Sequence, residues 1–286
     1  MPTRESFLLE PASGRSLDGI VDLPDRAGPA PVVVICHGFK GFMEWGFFPP
    51  LAELLAARGF TVVRFNLSGS GMRPGEDRVR DEAAFRHATI GRDVEDQTAV
   101  LRAVLEGRLA AGRVDTGRVG LLGHSRGGGT TLLLAASELG REHTRALVTW
   151  SAVGTFDRFG AEEKRAWRGA GEAPVVNSRT GQTLLVSSEV LDDIETRADA
   201  YDLAAAAGRR QAPWLIVHGS ADETVPVAEG RALAAAAAEP VDLHVVEGAS
   251  HTFGAQHPFA GPTPQLIEAM NATQGWFLRH LGAAAS

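Results

Sequence analysis

The chain is poor in several features that whole classes of protein require. It has one cysteine, Cys36, in 286 residues, so no internal disulfide can form and a reducing cytoplasm is the expected compartment. No stretch approaches the roughly 18 consecutive apolar residues of a spanning helix. The opening residues carry Arg4, Glu5 and Glu10 and lack the apolar centre of a signal peptide. Neither a membrane nor the secretory route is expected. The alanine run at 232–238 is too short and too weakly apolar to span, and it reads as a helix. No lysine-rich run occurs, and 28 basic residues against 35 acidic ones leave a net charge of −7, which argues against a nucleic-acid partner. Cysteine and histidine show no zinc spacing, and no Gly-x-x-x-x-Gly-Lys-Ser/Thr motif is present. The segment Gly69-Ser70-Gly71-Met72-Arg73-Pro74 places proline where a dinucleotide loop needs its third glycine. No metal or nucleotide cofactor is implied.

What remains is an ordinary globular composition, 44% hydrophobic and 22% charged, long enough for one domain with an insertion. Short β-branched runs at 32–36, 61–67, 119–122, 146–150, 214–217 and 243–246 alternate with helical patterns at 50–58, 90–109, 130–138, 227–238 and 264–280. That alternation predicts βαβ units around a mostly parallel sheet. The runs are apolar nearly throughout, so helices should cover both faces in an open, doubly wound arrangement. Segments 6–10 and 16–23, separated by Ala12-Ser13-Gly14-Arg15, read as a hairpin on the sheet edge. Residues 155–212 are too long for a crossover. They hold a charged helix at 161–168, a hairpin around Arg179-Thr180-Gly181-Gln182 and a helix at 199–207, and they read as a lid or cap inserted into a core of residues 1–154 and 213–286.

The chemistry concentrates in Gly123-His124-Ser125-Arg126-Gly127-Gly128, which follows a short apolar strand and precedes a helix-like run. A Gly-x-Ser-x-Gly in that setting is a nucleophile elbow, a turn so sharp that small residues must flank the serine on both sides. Gly123 and Gly127 would meet that need. A serine hydroxyl needs a base, usually a histidine oriented by a carboxylate. Asp222 lies in the turn after the strand 214–217, with Glu223 beside it as an alternative acid. His251 follows the strand 243–246, with His257 as its rival. The order Ser125, Asp222, His251 puts all three at strand C-terminal ends, where open α/β sheets gather their functional groups. Two backbone N–H groups should serve as an oxyanion hole. Arg126, directly after the serine, would give one. The loop His37-Gly38-Phe39-Lys40-Gly41 would give the other, from Phe39 or else from Gly38 or Lys40.

With these motifs in place, the chain resembles the serine α/β-hydrolases. It is similar to the bacterial esterases grouped with dienelactone-hydrolase-like and cinnamoyl or feruloyl esterase-like proteins. His37-Gly38-Phe39, Pro49-Pro50-Leu51-Ala52, the stretch from Gly59 to Asn66, the elbow, and the Asp222 and His251 motifs carry the likeness over about residues 31–280. The resemblance implies the α/β-hydrolase fold, a lid before the acid-bearing strand and a small-molecule ester substrate. Ser125 stands where strict dienelactone hydrolases have cysteine and haloalkane dehalogenases have aspartate, so the first reaction is not supported and the second is excluded. Asn66 replaces an aspartate common at that strand end. A serine peptidase like the prolyl-oligopeptidase catalytic domain, or a non-catalytic binding module on the same fold, are the competing readings.

Other side chains have two readings each. Arg126 and Lys40 could attract a substrate carboxylate or be ion-paired surface cations. His37 and His124 should support the site without being its base, and Cys36 should be a buried small hydrophobe. Trp150, Trp167, Phe156 and Phe159 line a pocket or belong to the core.

Overall fold

The computed structural model describes residues 3–282. Eight strands form one sheet: β1 (Thr3–Leu9), β2 (Leu17–Leu23), β3 (Ala30–Cys36), β4 (Thr61–Phe65), β5 (Val114–His124), β6 (Thr144–Trp150), β9 (Trp214–Gly219) and β10 (Val241–Val246), in the order β1-β2-β4-β3-β5-β6-β9-β10. The β1–β2 hairpin joins antiparallel at the β4 edge, and every other pairing is parallel. The central strands are apolar throughout because they feed two cores. On β3, Val32 and Val34 face one core while Val33 and Ile35 face the other. Helices α3 (Ile90–Leu105), α4 (Arg126–Ala136) and α9 (Val227–Ala236) close the first face, and α1 (Phe48–Ala57) and α10 (Pro264–Leu281) close the second. Strand β10 differs from this pattern, being half exposed because it is an edge strand.

The strand reading of 61–67 runs two residues too far. Asn66 leaves the ladder, and its side chain bridges β2 and the loop after β3: Nδ2 donates to Asp18 Oδ2 (2.7 Å), and Oδ1 accepts from the Met43 N–H (2.9 Å). An aspartate there would face Asp18 with no proton to donate. Arg64, fully buried inside the apolar run, is neutralised by Asp22 (2.8 Å) and donates to the Met43 carbonyl (2.8 Å), which is how a buried guanidinium becomes tolerable. Helix α3 stops at Leu105, short of the expected 109, as Gly107 takes a positive φ of 68°.

Segment 155–212 contains α6 (Ala161–Ala170), the hairpin β7 (Glu172–Asn177) and β8 (Gln182–Ser187), α7 (Glu189–Thr196) and α8 (Leu203–Arg209). The expected helix at 199–207 begins later because Asp202 caps it through the Ala205 N–H. Helix α7 went unread, as did α2 (Glu82–Arg86) and α5 (Glu138–His143). Gln182 fastens β8 to the core by exchanging two hydrogen bonds with the Val79 backbone (3.1 and 3.0 Å), and the Asp193 carboxylate accepts from the Gly91 N–H at the start of α3 (3.0 Å). Among the described residues, no helix is long and apolar enough to cross a membrane.

Candidate active site

Strand β5 ends at His124 and α4 begins at Arg126, so Ser125 alone makes the turn, at φ 57° and ψ −126°. This backbone conformation costs on the order of 1–3 kcal/mol for a residue with a Cβ. Its N–H donates to the Trp150 carbonyl (2.9 Å), and its own carbonyl accepts from Gly128 (2.9 Å). The packing holds the turn. A Cβ on Gly127 would lie 2.2 Å from the His37 carbonyl oxygen, and one on Gly123 would lie 2.4 Å from that of Gly127, so both glycines are sterically required. The Ser125 hydroxyl plays no structural part, since it neither caps α4 nor makes another hydrogen bond among the described residues.

Facing it is the loop after β3. A Cβ on Gly38 would stand 2.9 Å from Ser125 Cβ and 3.4 Å from its Oγ, so this loop passes directly against the hydroxyl. His37 fixes the loop. Its Nδ1–H donates to the Gly38 carbonyl (2.8 Å), and its Nε2 accepts from the Leu67 N–H (3.1 Å). Both bonds together require a neutral ring, and burial lowers its pKa to about 4. The backbone N–H groups of Phe39 and Arg126 donate to no protein group among the described residues. An N–H at the first helical position has no intrahelical partner to begin with.

Asp222 and His251 meet. The His251 Nδ1–H donates to Asp222 Oδ2 (2.8 Å), while Asp222 Oδ1 accepts from the Thr224 and Val225 N–H groups (2.9 and 2.8 Å). Burial pushes the carboxyl upward, but the His251 and Val225 bonds outweigh it and hold the pKa below the ordinary value. Glu223 is exposed and stays out of this arrangement. His257 is elsewhere, accepting from the Gly46 N–H (3.1 Å) with its edge on Phe42. The His251 ring lies 4.8 Å from that of His124, the residue before Ser125, and His124 Nε2–H donates to the His251 carbonyl (3.0 Å). No hydrogen bond joins Ser125 to His251 among the described residues.

Above the serine is a cavity of about 270 Å³ whose wall includes Phe156, Phe159, Trp167, Val186 and Ile194, with Ser125 and Arg126 at one side. Three of the four aromatics considered therefore do line a pocket, while Trp150 is core, donating to Thr273 (2.8 Å) against Phe47 and Phe253. The Arg126 guanidinium is not free for a substrate carboxylate. It lies 2.9 Å from the buried Asp93 carboxylate and over the Phe39 ring. Lys40 reaches the Val176 carbonyl of β7 (3.4 Å).

The profile of the alpha/beta hydrolase family matches residues 33–261, most of the chain. The chain belongs to that family. It is 28% identical to "Putative esterase YitV" of Bacillus subtilis over 214 residues, covering 74% of this chain and 76% of that one. Among solved structures it is similar to Est1E from Butyrivibrio proteoclasticus, with a TM-score of 0.69 at 18% identity, covering 96% of this chain and 98% of that one. It is similar as well to a dienelactone hydrolase from Anabaena variabilis, with a TM-score of 0.65 at 18% identity and coverage of 98% and 99%. The protein is thus a hydrolase of the α/β fold.

Three residues of this hydrolase were not foreseen: Asp93, Asp96 and Gln97, all buried on α3. Asp96 accepts from Ser68 N–H and Oγ–H (2.8 and 2.7 Å), which sets the turn that holds His37. Gln97 bonds Thr130 and Thr131 in the first turns of α4 (2.6 and 2.7 Å). A signal existed. The buried stripe Val100, Leu101 and Val104, extended back by helical spacing, lands on these polar residues.

Two of the buried histidines, His124 and His37, should make the hydrolase acid-sensitive. Burial lowers His124 to about 3 and His37 to about 4, from 6.5. Below pH 6.5 the unfolded chain binds protons that the folded one refuses, so the stability is complete above 6.5 and drains as pH falls toward 4. His37 alone accounts for on the order of 3 kcal/mol across that window. The buried Asp93 carboxyl, pushed up to about 6, takes up its proton in the folded state and opposes this loss below pH 6, so the fall in urea midpoint should show between pH 7.5 and 6, and a midpoint that rises over that range would contradict the neutral, buried rings.

Proposed function

We propose that this hydrolase cleaves carboxylic esters through an acyl-enzyme on Ser125. The observation that carries the reading is the Ser125 hydroxyl, held on a strained turn without any structural hydrogen bond, at the wall of an apolar cavity. His251 Nε2, free because Nδ1 is engaged by Asp222, takes the hydroxyl proton as Oγ attacks the acyl carbon. The Phe39 and Arg126 N–H groups receive the oxyanion. Collapse of the tetrahedral adduct expels the alcohol, which takes the proton back from His251. A water activated by the same imidazole then releases the acid. The name of the Bacillus relative supports ester chemistry, as does the structure of Est1E with ferulic acid bound. A fluorophosphonate probe should label Ser125, and p-nitrophenyl esters should be turned over; failure of both would reject the reading.

Segment 155–212 is the lid of this site, and it sets the substrate size. Phe156, Phe159, Trp167, Val186 and Ile194 all come from it. The cavity of about 270 Å³, with its largely apolar wall, suits an uncharged group of medium length. Turnover of p-nitrophenyl esters should therefore climb to medium acyl chains and fall beyond them. Val175→Phe, which fills part of the cavity wall, should shift the optimum to shorter chains and reduce turnover of a decanoyl ester by about 10-fold or more. An unchanged chain-length profile would place the acyl group elsewhere.

A further inference from the structure

We infer that Asp93 is a positioning residue for the oxyanion hole, acting through the Arg126 guanidinium and the Phe39 ring on the two residues whose N–H groups would receive the oxyanion. The inference rests on the esterase reading above.

Asp93 sits on α3, fully buried, with Oδ2 2.9 Å from Arg126 Nη2. No other donor satisfies either carboxylate oxygen among the described residues. A carboxylate in such a place needs a compensating partner, and its buried polar neighbours on this face are engaged elsewhere, Asp96 with Ser68 and Gln97 with Thr130 and Thr131. Among the described residues the Arg126 guanidinium is therefore the group that answers the charge at 93. The guanidinium that Asp93 holds lies over another residue of the site: Arg126 Cζ is 4.5 Å from the centroid of the Phe39 ring. Phe39 also stacks on Phe85 of α2, with centroids 5.3 Å apart and planes at 28°.

The contacts form a chain from α3 to Arg126 at the start of α4, then to Phe39 on the loop after β3, and on to α2. Both donor residues are members of it. Without Asp93 the long Arg126 side chain would regain its rotamers, and it borders the cavity, so it could swing into the space the substrate needs. The Phe39 ring would lose its cationic cover, and the loop carrying its N–H would gain freedom. Donors aimed at the developing oxyanion are worth about 10²–10³ in kcat each, so loosening their placement should cost a part of that.

The test uses Asp93→Asn, which keeps the shape and removes the charge, Arg126→Met, which keeps the backbone N–H, and the double variant. Each is assayed with p-nitrophenyl butyrate, with active sites counted by fluorophosphonate labelling, and with a trifluoromethyl ketone whose adduct places an oxyanion in the hole. Asp93→Asn should lower kcat about 10- to 100-fold with KM within about twofold, and should weaken the ketone in the same proportion. If Asp93 acts through Arg126, the double variant should be no worse than either single one. A purely structural role predicts a lower Tm with kcat and ketone affinity per labelled site unchanged, and that result overturns the inference. So do additive losses in the double variant. Should Asp93→Asn not fold, Arg126→Met decides alone by the same ketone and kcat readouts. No turnover and no ketone binding in the unsubstituted protein would instead reject the esterase reading, and this inference with it.

Discussion

Ser125→Ala is expected to lose ester hydrolysis by a factor on the order of a million in kcat while keeping its fold. The size of the loss follows from the role: without a nucleophile no acyl-enzyme forms, and only the oxyanion donors and the cavity remain to assist direct attack by water. Such residual assistance still exceeds the uncatalysed rate by about 10³–10⁴. Retention of the fold follows from the structure. The hydroxyl caps nothing and bonds nothing among the described residues, so its removal leaves no buried partner unsatisfied, and alanine keeps the same Cβ and the same backbone requirement at φ 57°. An unchanged Tm with abolished turnover and abolished fluorophosphonate labelling is the expected outcome. If the variant keeps more than about a tenth of wild-type kcat, Ser125 is not the nucleophile, and a binding module on this fold becomes the better account.

Much of the sheet was legible in the sequence because the information is local. Strands such as β3 and β9 are apolar at consecutive positions, which only a strand covered on both faces needs, and the hairpin 3–23 announces itself by its turn residues. The site was legible for a related reason. Each candidate lies in the turn after a strand, so chain order and strand ends suffice to bring Ser125, Asp222 and His251 to the C-terminal edge of the sheet. What could not be read depends on contacts distant in sequence. Helix α7 has a short local mark, Val190, Leu191 and Ile194 at helical spacing, but the contact of Asp193 with the Gly91 N–H that docks it on α3 joins residues about a hundred positions apart. The Arg126 side chain illustrates the same limit: beside an elbow serine, a cation suggests a substrate anion, yet a carboxylate 33 positions earlier already holds it. His37 and His124 could be recognised as supports, but their bonds to Leu67 and to the His251 carbonyl are properties of the folded loops.

Asp222→Asn is expected to lower kcat by on the order of 10⁴, and the hydrogen bonds of this aspartate explain why an isosteric change should do so much. Its Oδ1 accepts from two backbone N–H groups, those of Thr224 and Val225. An asparagine must keep its single carbonyl oxygen there, since an NH₂ group facing two backbone donors, that of Val225 buried, would leave them unpaired. The amide NH₂ is then forced toward His251, where the carboxylate now accepts the Nδ1–H (2.8 Å). Only a ring with its lone pair on Nδ1 can accept from that NH₂, so the proton moves to Nε2. A ring protonated at Nε2 cannot take the proton of Ser125. The fold should survive, because the turn keeps its two backbone bonds, and ¹⁵N shifts of the imidazole should report the exchanged tautomer. Glu223→Gln should leave kcat within about twofold, its side chain being exposed and outside the arrangement. Loss of activity in Glu223→Gln with Asp222→Asn still active would transfer the acid's role to position 223. Loss in Asp222→Asn without a change of tautomer would mean that the carboxylate acts chiefly by stabilising the imidazolium, and not by fixing which nitrogen carries the proton.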